Sequence, residues 1–335
     1  MKSNIFSPFF IYKTDIEVKI RDLKRGDGKG IVRLFEENYG DTYYKKYFYD
    51  EKFWDNLVES KRYYPVIAEI DGLVVGQFLL SVYDEYNGEV SAVVVLPEYK
   101  GRGIMNKMFV YLLNKAKSLG LKAVYGEAIM FHPFSQKANL KQGMIESALQ
   151  LGEVASWLSQ KDIKFQKRSA TLVSFKLFSN EKRFVNFPKV YKRIIKDVYK
   201  RAAIKTYRYQ KKLKPSLWYQ TNGLLNIAMI VIDSKVANFK KRFEFILSKL
   251  SAYDVIYADV NLKSGDIDNL VEYLNKKGFF YSGVLFYRYN GDDYLRLQLE
   301  NTHNIEEKLN VCYSKYCKKL TRYVYSDKKR VKRSF

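Results

Sequence analysis

Residues 93–105, VVVLPEYKGRGIM, run from a buried apolar strand through Pro97 into a short loop with Gly101 and Gly103, and from there into a helix. Glycines at a strand-to-helix turn let the backbone bend tightly enough for several N–H groups to converge on one anion. The helix that follows adds the positive end of its dipole. A chain built around this stretch is expected to form a mixed α/β sheet carrying a phosphate cradle. The loop lacks the Gly-Lys-Ser/Thr ending of a nucleotide P-loop and does not follow the first strand of a βαβ unit, so Walker and dinucleotide-binding readings fit poorly.

The rest of the pattern agrees with such a sheet. Segment 17–23 alternates as a strand, 28–38 and 51–60 read as helices, and 64–70, 73–83 and 88–96 read as a meander whose first turn is Asp71-Gly72. A helix from Ile104 to about Leu119, a strand at 121–128, a helix at 133–142 and further strands within 144–178 follow. Segment 188–214 reads as one connecting helix, opened by Pro188 and closed before Pro215. Beyond it, strand 225–232, helix 236–251, strand 255–261, helix 266–277 and strands 279–288 and 293–299 repeat the order of the first half. VYGEA at 124–128 is echoed by IYADV at 256–260.

A length of 335 residues argues for two cores. The two cysteines, Cys312 and Cys317, are five apart on one expected helix with their side chains turned from each other, which excludes a disulfide scaffold and favours a reducing compartment. With His132 and His303 the only histidines, a His/Cys metal cage is excluded and no metal is expected. Met1 to Tyr12 lacks a small-residue cleavage site and does not read as a signal peptide. No stretch of ~18 residues is apolar enough to span a bilayer, so a cytoplasmic protein is expected. The net charge of +23 is concentrated: 189–214 holds 11 Lys/Arg against Asp197 alone and 315–335 holds 9 against Asp327 alone, so +18 lies in two segments. Each is a candidate footprint for a polyanion such as RNA, an anionic lipid surface or an acidic carrier protein; a solvated helix face and a disordered tail are the alternative.

With the loop, its strand and its helix identified, residues from about 17 to 150 resemble the GNAT superfamily of acyl-CoA-dependent N-acyltransferases. The family's pyrophosphate loop reads Arg/Gln-x-x-Gly-x-Gly/Ala, and Lys100, Gly103 and Met105 stand at the three motif positions. Lys100 keeps the charge; Met105 carries a side chain where the family usually has none. The resemblance implies acetyl-CoA, or another acyl-CoA, as co-substrate. Its phosphates would be held by the loop Lys100, Gly101, Arg102, Gly103, Ile104 and Met105, and its pantetheine arm by the backbone of the preceding strand at Val93, Val94 and Val95. That strand would splay from strand 121–128 to open an acyl slot.

In the family a neutral amine attacks the thioester directly. A free Lys-like amine has a pKa near ~10.4, so a base is useful at neutral pH. Glu127, on the strand lining the slot, and Glu89, at the start of the cradle strand, are the candidates; each could instead bind the acceptor's cation. The family often places a Tyr as acid for the leaving thiolate at the position held here by Asn139. Ser135 or Asn139, on the last helix, could face the CoA sulfur; His132, just before it and a further cofactor-side candidate, could instead, with Pro133, simply shape the helix start. Asp41-Thr42-Tyr43-Tyr44 falls in the region that lines the acceptor pocket.

The corresponding turn in the second half, IDSKVANF at 232–239, has neither Gly nor Pro and cannot cradle a pyrophosphate in the same way. The expected architecture is therefore a tandem of GNAT-like domains, each a central mixed sheet flanked by helices. A catalytic domain occupies 1–150, a strand-rich junction and basic connecting helix 151–214, a degenerate GNAT-like domain 215–310 and a basic tail 311–335. The expected function is N-acyltransfer to an unidentified primary amine. The alternative is a non-catalytic protein of the same fold whose basic helix and tail hold tRNA or another polyanion.

Overall fold

The computed structural model describes residues 17–160, 163–164, 166–307 and 310–333; the Met1–Tyr12 stretch lies outside the described residues. Twelve strands form one continuous sheet. In chain order they are β1 (Lys19–Asp22), β2 (Tyr63–Ile70), β3 (Leu73–Val82), β4 (Asn87–Val95), β5 (Ala123–Ile129), β6 (Ile145–Val154), β7 (Ser169–Leu177), β8 (Ser216–Asn222), β9 (Ile227–Ser234), β10 (Val255–Asn261), β11 (Phe280–Tyr289) and β12 (Asp292–Glu300). Their order across the sheet is β1-β2-β3-β4-β5-β7-β6-β11-β12-β10-β9-β8. The β2–β3 hairpin turns on Asp71 and Gly72, both at positive φ, which matches the right-handed twist of the strands it joins.

Two units of this sheet repeat each other. Helix α3 (Ile104–Ser118) joins the parallel pair β4 and β5, and α4 (Phe134–Lys141) leads to the antiparallel β6 and β7. In the second half α6 (Phe239–Lys249) joins the parallel pair β9 and β10, and α7 (Ile267–Asn275) leads to the antiparallel β11 and β12. A parallel pair needs a crossover, and each helix lays its apolar face on the sheet in making it. The units abut through β6 and β11.

That seam is close. Ala148 and Gly283 are its one register pair, and a Cβ on Gly283 would lie 2.2 Å from the Ser147 carbonyl oxygen. Side chains complete the joint: Gln298 Nε2 donates to the Leu149 carbonyl at 3.1 Å, its Oε1 accepts from the Leu151 N–H at 2.8 Å, and Ser282 Oγ donates to the Leu149 carbonyl at 2.9 Å. The apolar core divides within the N-terminal unit and not at its end. Helices α1 (Gly28–Tyr39) and α3 cover β1–β4, whereas Tyr125, Leu149 and Leu172 pack with the C-terminal half. Segment 151–214 supplies β7, which lies between β5 and β6.

Three expectations need correction. The helix read over 188–214 is short: α5 covers Lys192–Arg201, and the chain turns back at Ala203, with φ 55°, to bury Ile204. Residues Thr206–Tyr207 then pair in parallel with Arg183–Phe184. The segment read as a basic tail is helix α8 (Lys315–Lys332), capped by Ser314, whose side chain accepts from the Cys317 N–H. It is amphipathic, with Cys317, Leu320, Val324 and Val331 buried, and its Asp327 carboxylate accepts from Tyr191 Oη and from the Tyr281 N–H, each at 2.8 Å. Cys312 therefore precedes the helix instead of lying on it. Its thiol meets that of Cys317, which holds the Cys312 pKa down at about 7. Both cysteines are free. Among the described residues no helix is long and apolar enough to cross a membrane.

The seam yields a stability test. Gly283→Val drives a branched side chain into the Ser147 carbonyl, and overpacking of this kind costs about 1–3 kcal/mol or more. Urea unfolding should show a loss at least that large; an unchanged midpoint would mean that the two units do not depend on the joint.

Candidate functional site

The loop after β4 is built as the glycine spacing requires. Pro97–Tyr99 forms one 3-10 turn, Gly101 and Gly103 take φ of 80° and 77°, and Gly103 caps α3 in the left-handed conformation. A Cβ on either glycine would meet nothing within 4 Å, so the glycines are needed for backbone conformation and leave open space beside the helix start. The first N–H groups of α3 have no carbonyl a turn earlier to bond, and Lys100 and Arg102 stand exposed beside them. Ile104 is buried as the helix anchor, and Met105 is half-buried against the core, out of the way of those amides. In the same turn Asn106 Oδ1 is buried without a partner.

Beside this loop the sheet opens. Strands β4 and β5 pair at Asn87–Ala123, Gly88–Val124 and Glu89–Tyr125 and no further. From Val90 to Val95 the edge of β4 facing β5 carries no ladder. A bulge at Ala92, with φ 53°, and Val93 twists it further, while Val94 and Val95 stay paired to β3 on the other side. The bare edge, the open space at the glycines and the orphaned oxygen of Asn106 fit an extended ligand with amides along its length and phosphates at one end.

The candidate bases line the mouth of this opening. Glu89 is half-buried and accepts from Tyr83 Oη at 2.9 Å. Glu127 is reached by solvent yet crowded by protein atoms. Burial, followed by repulsion from Glu153 and Glu89, pushes its pKa up to about 8. Burial raises Glu153 as well. Tyr44, from the loop after α1, feels Glu89, Glu127 and Glu153, so the 41–44 loop reaches the same cleft.

Helix α4 closes the opposite side. Asn139 is buried, its Nδ2 3.6 Å from where a Cβ on Gly126 would stand, so it faces β5 one residue before Glu127. His132 sits between the rings of Phe131 and Phe134 with Nδ1 buried and unpartnered, and burial lowers its pKa, which keeps it neutral. Ser135 is half-buried in the first turn of α4.

Sequence reasoning missed the contribution of the second half. Arg296 on β12 is buried in a two-pronged ion pair with Asp259 on β10, both bonds at 2.7 Å. Its third nitrogen donates to Gln150 Oε1 at 2.6 Å, which turns the Gln150 amide nitrogen toward Thr171 Oγ1, at 3.1 Å, and Glu127 Oε1, at 3.4 Å. A chain of polar contacts thus runs from the C-terminal half across the seam to Glu127. Arg288 joins it by donating to Tyr125 Oη at 3.3 Å. The available signal was a charge interrupting an apolar strand: Asp259 in VIYADV and Arg296 in YLRLQL. Among the described residues no group of His, Cys, Asp or Glu is arranged to hold a metal ion.

Residues 29–138 match the model of the acetyltransferase (GNAT) family. Solved structures similar to this chain include the ribosomal-protein-S18-alanine N-acetyltransferase from Escherichia coli, 12% identical over 49% of this chain and 95% of that one, with a TM-score of 0.40. A putative acetyltransferase from Salmonella typhimurium, solved with acetyl-CoA, is 16% identical over 49% and 95%, with a TM-score of 0.41. An N-acetyltransferase from Staphylococcus aureus is 16% identical over 49% and 99%, with the same TM-score of 0.41. A search of curated proteins finds no match. The sheet that opens between β4 and β5 and the glycine loop at α3 both fall within the matched stretch: residues 29–138 carry the match to the GNAT acetyltransferase family.

Proposed function

We propose that this protein transfers an acetyl group from acetyl-CoA to a primary amine by direct attack of the amine on the thioester. The observation that carries the reading is the bare edge of β4 leading into the left-handed glycine loop at α3. Acetyl-CoA supplies the activated thioester. The backbone N–H groups of 101–105 hold the pyrophosphate, aided by Lys100 and Arg102, and the backbone at Val93, Val94 and Val95 pairs with the amide-bearing arm. Glu127 takes the proton of the incoming ammonium, after which the C–N bond forms, the C–S bond breaks to release the thiolate, and the second proton leaves the new amide nitrogen to solvent. With its pKa at about 8 the carboxylate lies roughly two units below an alkylammonium, whereas an ordinary carboxylate lies about six below, so proton transfer is far less uphill. Glu89 and its Tyr83 partner hold the acceptor's charge. Asn139 offers no acid, so the thiolate departs without a proton from that position; His132 and Ser135 shape the end of the slot. The C-terminal half is a second, degenerate copy of the unit: Asn238 caps α6 in the left-handed conformation that Gly103 takes at α3, with a side chain where the cradle needs none. A reducing, cytoplasmic setting with Cys312 and Cys317 as thiols belongs to the same reading.

Two measurements test it. Gly103→Asp adds a carboxylate at the pyrophosphate, so calorimetry should show acetyl-CoA affinity falling by about tenfold or more with the fold intact, the order of a lost hydrogen bond to a charged group; retained affinity overturns the assignment. For the base, kcat/KM should climb with pH to a midpoint near 8 and then level, because Glu127 acts only when ionised. Glu127→Gln should erase that limb and slow turnover by ~10²–10⁴-fold; a limb that survives in the variant gives the proton to another group.

A second reading concerns the basic segments. Helices α5 and α8 lie antiparallel: Lys319 pairs with Asp197 at 2.7 Å and Arg201 stacks on Tyr316 near one end, and Tyr191 meets Asp327 near the other. The two charge-rich stretches thus form one face, on which exposed Lys192, Lys196, Lys200, Lys315, Lys318 and Arg322 make no ion pair among the described residues. A groove beside α5 adds Arg208, Lys211 and Lys212, and the ring of Tyr207. Cations interleaved with exposed rings suit RNA, which brings both phosphates and stacking bases. RNA affinity should fall with salt at a log–log slope of about −0.7 per phosphate contact, and Glu at Lys192, Lys196, Lys200, Lys211 and Lys212 should abolish it while acetyl-CoA binding stays. No gel shift by the wild type at ~50 mM salt leaves the charge as a solvated face.

A further inference from the structure

The chain enters α8 through residues 310–314, and this strap is fastened to the N-terminal unit on both sides of Cys312. The Val311 N–H donates to the Met130 carbonyl at 2.7 Å, and the Val311 carbonyl accepts from Gln136 Nε2 at 2.7 Å. The Tyr313 N–H donates to Gln136 Oε1 at 3.0 Å, and Lys137 lies over the Tyr313 ring. Met130 directly follows β5, the strand of Glu127, and Gln136 is buried on α4 one turn before Asn139. Whatever restrains the strap therefore restrains α4 and the end of β5.

Cys312 is half-buried, and Cys317, in the first turn of α8, is buried. The two side chains are hydrogen-bonded to each other, and Thr321 Oγ1 lies 3.3 Å from Cys312 Sγ. Ser314 Oγ accepts from the Cys317 N–H at 2.8 Å, which fixes the Cys317 backbone and leaves its thiol to Cys312. The two thiols differ in character. Cys312 precedes the positive end of α8 and takes hydrogen bonds from Cys317 and Thr321, with Lys318 nearby, so its thiolate is favoured in spite of burial and the Glu146 carboxylate. Cys317 stays a thiol, because it is buried and gives its hydrogen to the Cys312 sulfur. A solvent-reached thiolate in contact with a second thiol is the arrangement in which oxidation ends at a disulfide instead of climbing to higher oxides.

We propose that Cys312 and Cys317 form a reversible disulfide that clamps the strap, and through it α4, to the N-terminal unit. With a peroxide as oxidant, the Cys312 thiolate attacks one peroxide oxygen, forming a sulfenic acid and expelling hydroxide. The Cys317 sulfur then attacks that of Cys312: the S–S bond forms, the S–O bond breaks, and the Cys317 proton leaves with the departing hydroxide as water. The two sulfurs give up two electrons, and the peroxide is reduced to water and hydroxide. A dithiol reductant, itself oxidised to its disulfide, restores both thiols. Covalent closure of the short loop 312–317 removes the freedom that lets the strap open. None of these steps involves acetyl-CoA, so the inference stands independently of the acetyltransferase reading.

The test treats the full chain with equimolar hydrogen peroxide, then alkylates it and maps the peptides by mass spectrometry. Cys312 should be joined to Cys317, two hydrogens lighter than the reduced pair, and dithiothreitol should release both. In Cys317→Ser, or in Cys317→Ala if a hydroxyl at this buried site unfolds the chain, Cys312 should stop at a sulfenic acid that dimedone traps; in Cys312→Ser, Cys317 should stay reduced. Amide hydrogen exchange at Val311 and Tyr313 should slow by about tenfold or more in the disulfide form, the order set by closing a short loop. Wild-type cysteines that stay reduced, or that oxidise with no bond between them within one chain, overturn the proposal. A disulfide that leaves exchange at Val311 and Tyr313 unchanged overturns the clamp.

Discussion

The contact between Gly283 and the Ser147–Ala148 backbone holds the two halves of this protein in one sheet. A strand edge left open at β6 or at β11 would expose unpaired N–H and C=O groups, and here each edge covers the other. The approach is too close for any side chain at 283, and Ala148–Gly283 is the one register pair between the strands. Gln298 and Ser282 then supply from their side chains the hydrogen bonds that a longer ladder would have supplied from the backbone. The rest follows from that geometry: β12 comes within reach of Gln150, and the Asp259–Arg296 pair is brought up against the carboxylates of the N-terminal unit.

The chemistry of the cleft depends on how those charges are apportioned. A buried arginine bound on both prongs to an aspartate still draws Glu127 and Glu153 down, but it also fixes the direction of the third nitrogen. That nitrogen orients Gln150, and Gln150 steers its amide toward Glu127. The carboxylate is thus positioned by a neutral group and forms no ion pair among the described residues, so burial and repulsion from Glu153 and Glu89 outweigh the pull of Arg296 and Arg288 and raise its pKa to about 8. An ion pair with Glu127 itself would have drawn its pKa back toward the ordinary carboxylate range.

Helix α8 shows the same economy with charge on the outer surface. Its buried Asp327 joins Tyr191, the Tyr281 backbone and Arg330, so a single carboxylate ties the end of the chain to α5 and to the seam strand β11. Lys328 turns inward to Glu300 and Glu307, while Lys315, Lys318 and Arg322 remain outside. The basic excess is therefore sorted: part stabilises the helix on the sheet, and part is displayed.

The local elements were legible in the sequence because they rest on short-range physics. The glycine spacing at 101–103 demanded a left-handed turn, Asp71-Gly72 demanded a hairpin, and β-branched runs demanded strands; each was found in its place. The loop, the opening of β4 from β5 and the candidacy of Glu127 all lie within about forty residues of one another. Where the sequence misled, distant packing had decided. The periodicity of 188–214 continues past Arg201, but burying Ile204 turned the chain, and a lysine-rich end became a packed helix once Asp327 had partners in Tyr191 and Tyr281. Nothing local tells that Asp259 and Arg296 meet Gln150, because their contact spans the seam and exists only after two sheets have joined through a glycine. Sequence determined the glycine loop and its turn into α3; tertiary structure alone decided which carboxylates lie around Glu127, since electrostatic environment is set by what folding brings within a few ångströms and not by spacing along the chain.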